Sequence, residues 1–305
     1  MSIIETGRQA RTDIYQRYVK PGLDQLSSFK TVPTLGPGLL FLIVFFFLPI
    51  VILVSISFQA EFVAGTVSEL TFGNYLKIVN DQYFINTLIR TLLMGVAVAT
   101  TTLAIGYPVA YHITRTESGR RRVVFMLMII VPYLTSVVVR TFGWLIILLE
   151  NGFLNTFLRW TGLIDGAVKL VNNEWGIYIG LVHVFLPIAV ISLMTSLGKI
   201  EPEMEHAARD LGASRVRVVT RILLPLSKRG LLGGFLLVFA LTISSFTTPS
   251  ILGGNTEVMA TAIYTYVGYL TNFNLAAALA MVLMGFAVTV IVISNYLGQR
   301  RMEVV

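Results

Sequence analysis

The 305-residue sequence contains no cysteine, so neither a disulfide framework nor a Cys-based zinc or iron–sulfur site can form within it. Charge is scarce as well: 13% of residues are Asp, Glu, Lys or Arg and 55% are hydrophobic, against roughly 25% charged in a soluble domain. That balance points to a membrane protein. No GxxxxGK[ST] phosphate loop occurs, which excludes a P-loop ATP hydrolase within this chain. Three scattered histidines, with no carboxylate cluster or nucleophile–base pair, offer none of the constellations a membrane enzyme requires. The first 35 residues lack an apolar h-region and are expected to be retained rather than cleaved as a signal peptide.

What is present is length and apolarity. A bilayer core needs roughly 17–25 mainly apolar residues per helix, and six stretches meet that length: Gly36 to Phe58, Asn86 to His112, Val123 to Leu149, Gly176 to Leu197, Leu231 to Gly253, and Leu275 to Gly298. The expectation is an all-α, six-span membrane domain over residues 36–305, preceded by a tail at residues 1–35 in which Ile14, Tyr15, Tyr18 and Val19 suit an interfacial helix. Lys plus Arg counts in successive connections run five, one, four, two, seven, none and two. This alternation places both termini and the long loop 199–230 in the cytoplasm. It also accounts for the net charge of +7 without nucleic acid.

The loop 199–230 carries eleven charges in an otherwise oily chain. Pro202 stands where a first helical residue is expected, Glu201, Glu203 and Glu205 lie at the positive end of the helix dipole, and Gly212 follows the last turn. Met204, Ala207, Ala208 and Leu211 share one narrow apolar face with a small centre. Ser214 is placed to cap a second helix, which Pro225 ends or kinks.

AARDLGAS followed by ILLP resembles the EAA loop of permease subunits of ATP-binding-cassette importers, with Ala207, Ala208, Asp210, Leu211, Gly212, Ala213, Ser214, Leu224 and Pro225 in matching positions. The stretches FGNYLKIVNDQYFINTLIRTLL, GYPVAYHITR, VPYLTSVVVRTFGWLIILLENGFLN and SSFTTPSILGG are similar to the spermidine/putrescine branch of the type I importers. The resemblance implies a type I permease fold whose first loop helix, the coupling helix, docks on a separate ATPase. The residues it assigns to that contact are Met204, Glu205, His206, Ala207, Ala208, Asp210, Leu211 and Gly212. It further implies two ATPase subunits that bind ATP and Mg²⁺, a second homologous permease, preferably a distinct one, and an extracytoplasmic binding protein. The chain itself needs no cofactor or metal. One departure from the family pattern is that His206 stands where a glutamate precedes Ala-Ala, with Glu205 one position earlier. At about 100° of helix rotation per residue, Glu205 points elsewhere.

The cargo path is sought among residues of the third and fifth spans. Arg140 lies well inside the third, at an insertion cost of roughly 2.5–3.5 kcal/mol if central. It either faces an aqueous path, or snorkels, or pairs with the neighbouring subunit. Trp144 and Glu150 follow it, the latter placed at the outer mouth, while Phe246, Thr247 and Thr248 suit a gate lining. Arg90 is expected to be interfacial, and His183 to be packed and hydrogen-bonded. A polyamine or related nitrogenous solute is the leading cargo expectation, with an anionic solute such as a phosphonate as the alternative. An ion-coupled secondary transporter would want intramembrane acids, and the six spans contain no Asp or Glu except at their ends.

Overall fold

A long apolar run in lipid satisfies its backbone internally only as a helix or a closed barrel, and helices dominate the residues that this computed structural model describes, 31–60 and 69–300. The interfacial helix expected around residues 14–20 lies outside them.

The first unit of the chain, Met1–Ser55, contains most of α1 (Thr31–Ser57), whose apolar side chains from Leu39 to Leu48 are exposed on every side. A helix with no polar face is what a span immersed in lipid requires.

The second unit, Ile56–Val305, holds the remaining helices. Its first residues are fixed by two asparagines: Asn74 Nδ2 donates to the carbonyls of Ser57 and Gln59, and Asn274 Nδ2 to those of Ile56 and Gln59. After α2 (Gly73–Asn80), the Asp81 carboxylate accepts from the Tyr83 amide and so caps α3 (Gln82–Thr114). The core of this unit lies between α3, α7 (Glu174–Leu197) and α10 (Lys228–Ile243), where Phe84, Leu193 and Phe239 are fully buried. Small residues set the spacing. A Cβ on Gly95 would sit 2.7 Å from Ile243 Cγ2, and one on Gly230 would sit 2.1 Å from the Cβ of Ser196.

Two expected spans are broken. The third comprises α4 (Gly119–Leu134) and α5 (Val137–Leu148), separated by extended backbone at Thr135 and Ser136. Pro132 cannot donate to the preceding turn, and Thr135 Oγ1 bonds the Pro132 carbonyl at 2.6 Å, a local contact that competes with helix continuation. The apolar stretch here runs Val137–Trp160, through α6 (Phe153–Trp160), instead of ending at Leu149. The fifth span is α10, a break at 244–246, and α11 (Thr247–Leu252). At its N-terminal end α10 meets the loop helix α9 (Arg215–Leu226) at a 71° bend. Among the described residues five helical stretches are long and apolar enough to cross a membrane, and six when this bent pair counts as one. A short α12 (Met259–Gly268) leads to α13 (Phe273–Arg300), the last span.

Candidate functional site

Between α7 and α9 stands the short helix α8, Pro202–Asp210, with Pro202 in its first turn as the sequence requires. Its end is set by Gly212, at φ +84°. The Gly212 amide bonds the Arg209 carbonyl at 2.8 Å and the Ala213 amide bonds the Ala208 carbonyl at 3.0 Å, the paired bonds of a Schellman cap. Ser214 Oγ then accepts from the Arg217 amide, starting α9. Pro225 has no N–H for the Arg221 carbonyl, and the backbone answers with a π-helical turn over Val219–Leu223 before the bend. The bend itself is pinned by the fully buried Ser227, whose hydroxyl lies 3.0 Å from Tyr107 Oη of α3 and donates to the Leu223 carbonyl at 2.6 Å.

The faces of α8 separate cleanly. Met204 (48% exposed), Ala207 and Leu211 (89% exposed) remain uncovered, together with His206 and Asp210. Ala208 turns inward against the core. So does Glu205, which is only 3% exposed. Its Oε1 accepts from Arg115 Nε at 2.6 Å and its Oε2 from Tyr111 Oη at 2.6 Å. Arg115 also donates to the Ile200 carbonyl at 3.0 Å, and Arg209 adds a longer ion pair at 3.7 Å. A buried carboxylate thus ties α8 to the C-terminal end of α3. Sequence reasoning placed Glu205 off the family position but missed its partners, which lie 90 and 94 residues away with no local spacing to betray them. Beside α8 opens a cavity of about 710 Å³ that Met204 of the uncovered face borders, together with Ser192, Thr195, Lys199 and Arg229.

The cargo candidates fall into three groups. Arg140 and Trp144 lie on α5, with the Arg140 guanidinium carbon 5.9 Å from the Tyr133 ring centre and Trp144 edge-on to His183 at 5.4 Å. His183 is packed as expected, but its Nδ1 is buried without a hydrogen-bond partner, as are Nε and Nη1 of Arg140. Thr248 is joined to α5 through Thr141, hydroxyl to hydroxyl at 3.3 Å, and neighbouring Phe246 stacks obliquely on Tyr264 at 4.5 Å, with Thr247 partly buried between them in the chain. Glu150 is exposed in the connection just after α5. Arg90, expected at an interface, forms a 2.6 Å ion pair with Glu174 and donates to the Glu257 carbonyl at 3.1 Å. It borders a cavity of about 540 Å³ with Asn86, Trp175 and Tyr178, a feature that sequence reasoning missed. Among the described residues no His, Asp and Glu cluster suits a metal ion.

Comparison with known proteins bears on these features. The family described as "Binding-protein-dependent transport system inner membrane component" matches residues 103–303, which include the whole of α8, Gly212 and α9. The chain belongs to this family. It is therefore a multi-pass inner membrane permease of an ATP-binding-cassette importer, a transport subunit and not an enzyme. The spermidine/putrescine transport system permease protein PotB of Salmonella typhimurium (strain SL1344) is 33% identical over 70% of this chain and 74% of its own length. PotB of Escherichia coli (strain K12) is 33% identical over 70% of this chain and 77% of its own. A chain in the crystal structure of a bacterial ABC transporter that imports the acidic polysaccharide alginate superposes with a TM-score of 0.68, covering 92% of this chain and 99% of that one at 19% identity, which shows the fold alone.

Proposed function

We propose that this permease moves a polyamine or a closely related small nitrogenous cation inward, driven by ATPase subunits that dock on α8. The observation that carries the mechanical part is the division of α8 into an uncovered face, Met204, Ala207 and Leu211, and an inward face held by Glu205. An apolar helix face left open on a short helix calls for a partner. Two ATPases holding ATP and Mg²⁺ are the partners the family supplies, and closure of that pair would push α8 as a unit. Because Glu205 fastens α8 to α3, and Tyr107 fastens the α9–α10 bend to the same helix, displacement of the loop passes to two spans at once. His206 and Asp210 border the docking face, and Gly212 sets the angle between α8 and α9.

The cargo assignment rests on the PotB relatives. Trp144 lies on α5, Thr247 and Thr248 open α11, and Phe246 ends the break before it, and aromatic faces with hydroxyls suit an ammonium in transit. Glu150 stands at the outer mouth, where an incoming cation would meet it. A second permease, distinct from this one, and an extracytoplasmic binding protein complete the importer, with both termini and the loop 199–230 in the cytoplasm. The test is uptake of labelled putrescine and spermidine by proteoliposomes holding the complete complex, alongside the melting temperature of the binding protein with each solute. ATP-dependent accumulation is expected. A binding protein that no polyamine stabilises, paired with uptake of some other solute, would sink the cargo assignment while leaving the coupling reading intact.

A further inference from the structure

A salt bridge half open to solvent contributes little to stability by itself, yet one stands at the rim of the cavity of about 540 Å³ between α3 and α7. Arg90 Nε donates to one carboxylate oxygen of Glu174 at 2.6 Å, and Nη1 donates to the Glu257 carbonyl at 3.1 Å. Nη2 and the second Glu174 oxygen bond nothing among the described residues. Neither is closed off: Nη2 is not buried, and the two side chains are 33% and 56% exposed. One turn nearer the start of α3, Asn86 Oδ1 accepts from Gln82 Nε2 at 2.8 Å, which leaves the exposed Asn86 amide nitrogen as a further donor.

Below this polar rim the cavity is apolar. Leu93 and Ala97, one and two turns further along α3, are exposed along it, and the Tyr178 hydroxyl is already engaged by Thr101 at 2.5 Å. The 33 residues of α3 span about 50 Å against a hydrocarbon core of about 30 Å, so α3 centred on that core overhangs it by about 10 Å at each end. Arg90, about 12 Å from Gln82, then lies where headgroups meet hydrocarbon, and Ala97, about 10 Å further along, lies at acyl-chain depth. Trp175, exposed beside the rim, is the residue type that favours this boundary.

We propose that this groove holds one phospholipid whose headgroup carries both a phosphate and a primary ammonium, in the leaflet that contains the N-terminal ends of α3 and α7. Arg90 Nη2 and the Asn86 amide donate to the phosphate, the open oxygen of Glu174 accepts from the ammonium, and an acyl chain lies along Leu93 and Ala97. Charge decides the class. The Arg90–Glu174 pair is neutral as a unit, so a headgroup of one net charge suits one side chain and is repelled by the other, whereas a zwitterion meets both. An apolar occupant, such as a span of a second permease, would bury Nη2 and the carboxylate oxygen unpaired. The site is independent of which solute the importer carries.

The test counts lipid retained by the purified complete complex, by native mass spectrometry, after exposure to vesicles of phosphatidylethanolamine, phosphatidylglycerol or phosphatidylcholine. The parent is expected to retain phosphatidylethanolamine about tenfold better than the other two, the scale of one charge-assisted contact. Arg90→Gln should abolish that excess, and Glu174→Gln should level phosphatidylethanolamine with phosphatidylglycerol. Leu93→Trp fills the groove without touching the ion pair and should lose the excess too; Leu93 is 65% exposed, so this variant is expected to fold, with a parent-like melting temperature as the check. Equal retention of the three lipids by the parent, or an undiminished excess in either Leu93→Trp or Glu174→Gln, overturns the site. Soluble glycerophosphoethanolamine that displaces the lipid as well as phosphatidylethanolamine does would assign the rim to a soluble ligand and overturn it as well. So would a photoreactive Ile89→benzoylphenylalanine variant that crosslinks, in irradiated membranes, to a second permease instead of to lipid.

Discussion

Replacing Arg115 by methionine should uncouple ATP hydrolysis from transport, and the geometry sets the scale. Arg115 supplies Glu205 with its shortest ion pair, 2.6 Å, and the carboxylate left behind is 3% exposed, with Tyr111 as its neutral donor and Arg209 at 3.7 Å as its remaining cation. Breaking a buried pair by removing one partner costs about 3–5 kcal/mol because the other charge stays desolvated. At about 1.4 kcal/mol per tenfold, the seated position of α8 loses roughly two to three and a half orders of magnitude in population. The nine residues of α8 cannot compensate, since isolated helices below about 12 residues are marginal in water. Glu205→Gln should be milder, about 1.5–3 kcal/mol, because the amide oxygen still accepts from Arg115 or Tyr111 and only the charge assistance is lost. The assay is ATP hydrolysis and uptake by the reconstituted complex, with and without loaded binding protein. Hydrolysis should persist while uptake per ATP falls, more in Arg115→Met than in Glu205→Gln, and the reciprocal exchange Arg115→Glu with Glu205→Arg should recover part of the loss. Equal uptake per ATP in Arg115→Met and the parent would refute the brace as a transmission element.

Gly212→Val should leave membrane insertion near normal and abolish stimulation of hydrolysis by loaded binding protein. Its φ of +84° costs a branched residue roughly 1–2 kcal/mol, and since a Cβ there meets nothing within 4 Å the penalty is in the backbone alone, with no side-chain wedge between α8 and α9. Gly212→Asn should retain most activity. Gly230→Ala should lower the melting temperature of the purified complex, at about 1–3 kcal/mol for overpacking against Ser196, and Ser196→Gly in the same chain should restore part of it. A cysteine placed at Ser214 in this Cys-free chain should resist an impermeant reagent added outside intact cells, and labelling from that side would invert the proposed orientation.

Features governed by neighbours in the chain were legible in the sequence. Apolar length located the spans, and the order Pro202, acidic turn, Gly212, Ser214 foretold the start of α8, its left-handed stop and the cap of α9, because each depends on backbone groups within four residues. Pro225 announced a kink, and the structure shows its form, a π-helical turn and a 71° bend. The break at Thr135 and Ser136 was missed because a hydropathy window averages over it. Two hydroxyl residues barely dilute an apolar run, yet one Thr135 hydroxyl on the Pro132 carbonyl is enough to redirect the chain.

The contacts that tie the loop to α3 were beyond reach for a different reason. Glu205 finds Arg115 across 90 residues, and Tyr107 finds Ser227 across 120, so no periodicity links them. What the sequence did contain was the one-residue displacement of the acid relative to the family pattern. A carboxylate shifted by one position on a helix rotates by about 100°, enough to take it from the exposed side of α8 to the side that faces α3. His206 then stands on the exposed side of α8 where the family pattern has a glutamate, while the inward carboxylate holds α8 to α3. Attachment to the ATPase must then come from the apolar face of Met204, Ala207 and Leu211, so polar substitutions there should weaken docking more than His206→Gln does. Retained ATPase binding in a Leu211→Asp variant, with binding lost in His206→Gln, would reverse this division of labour.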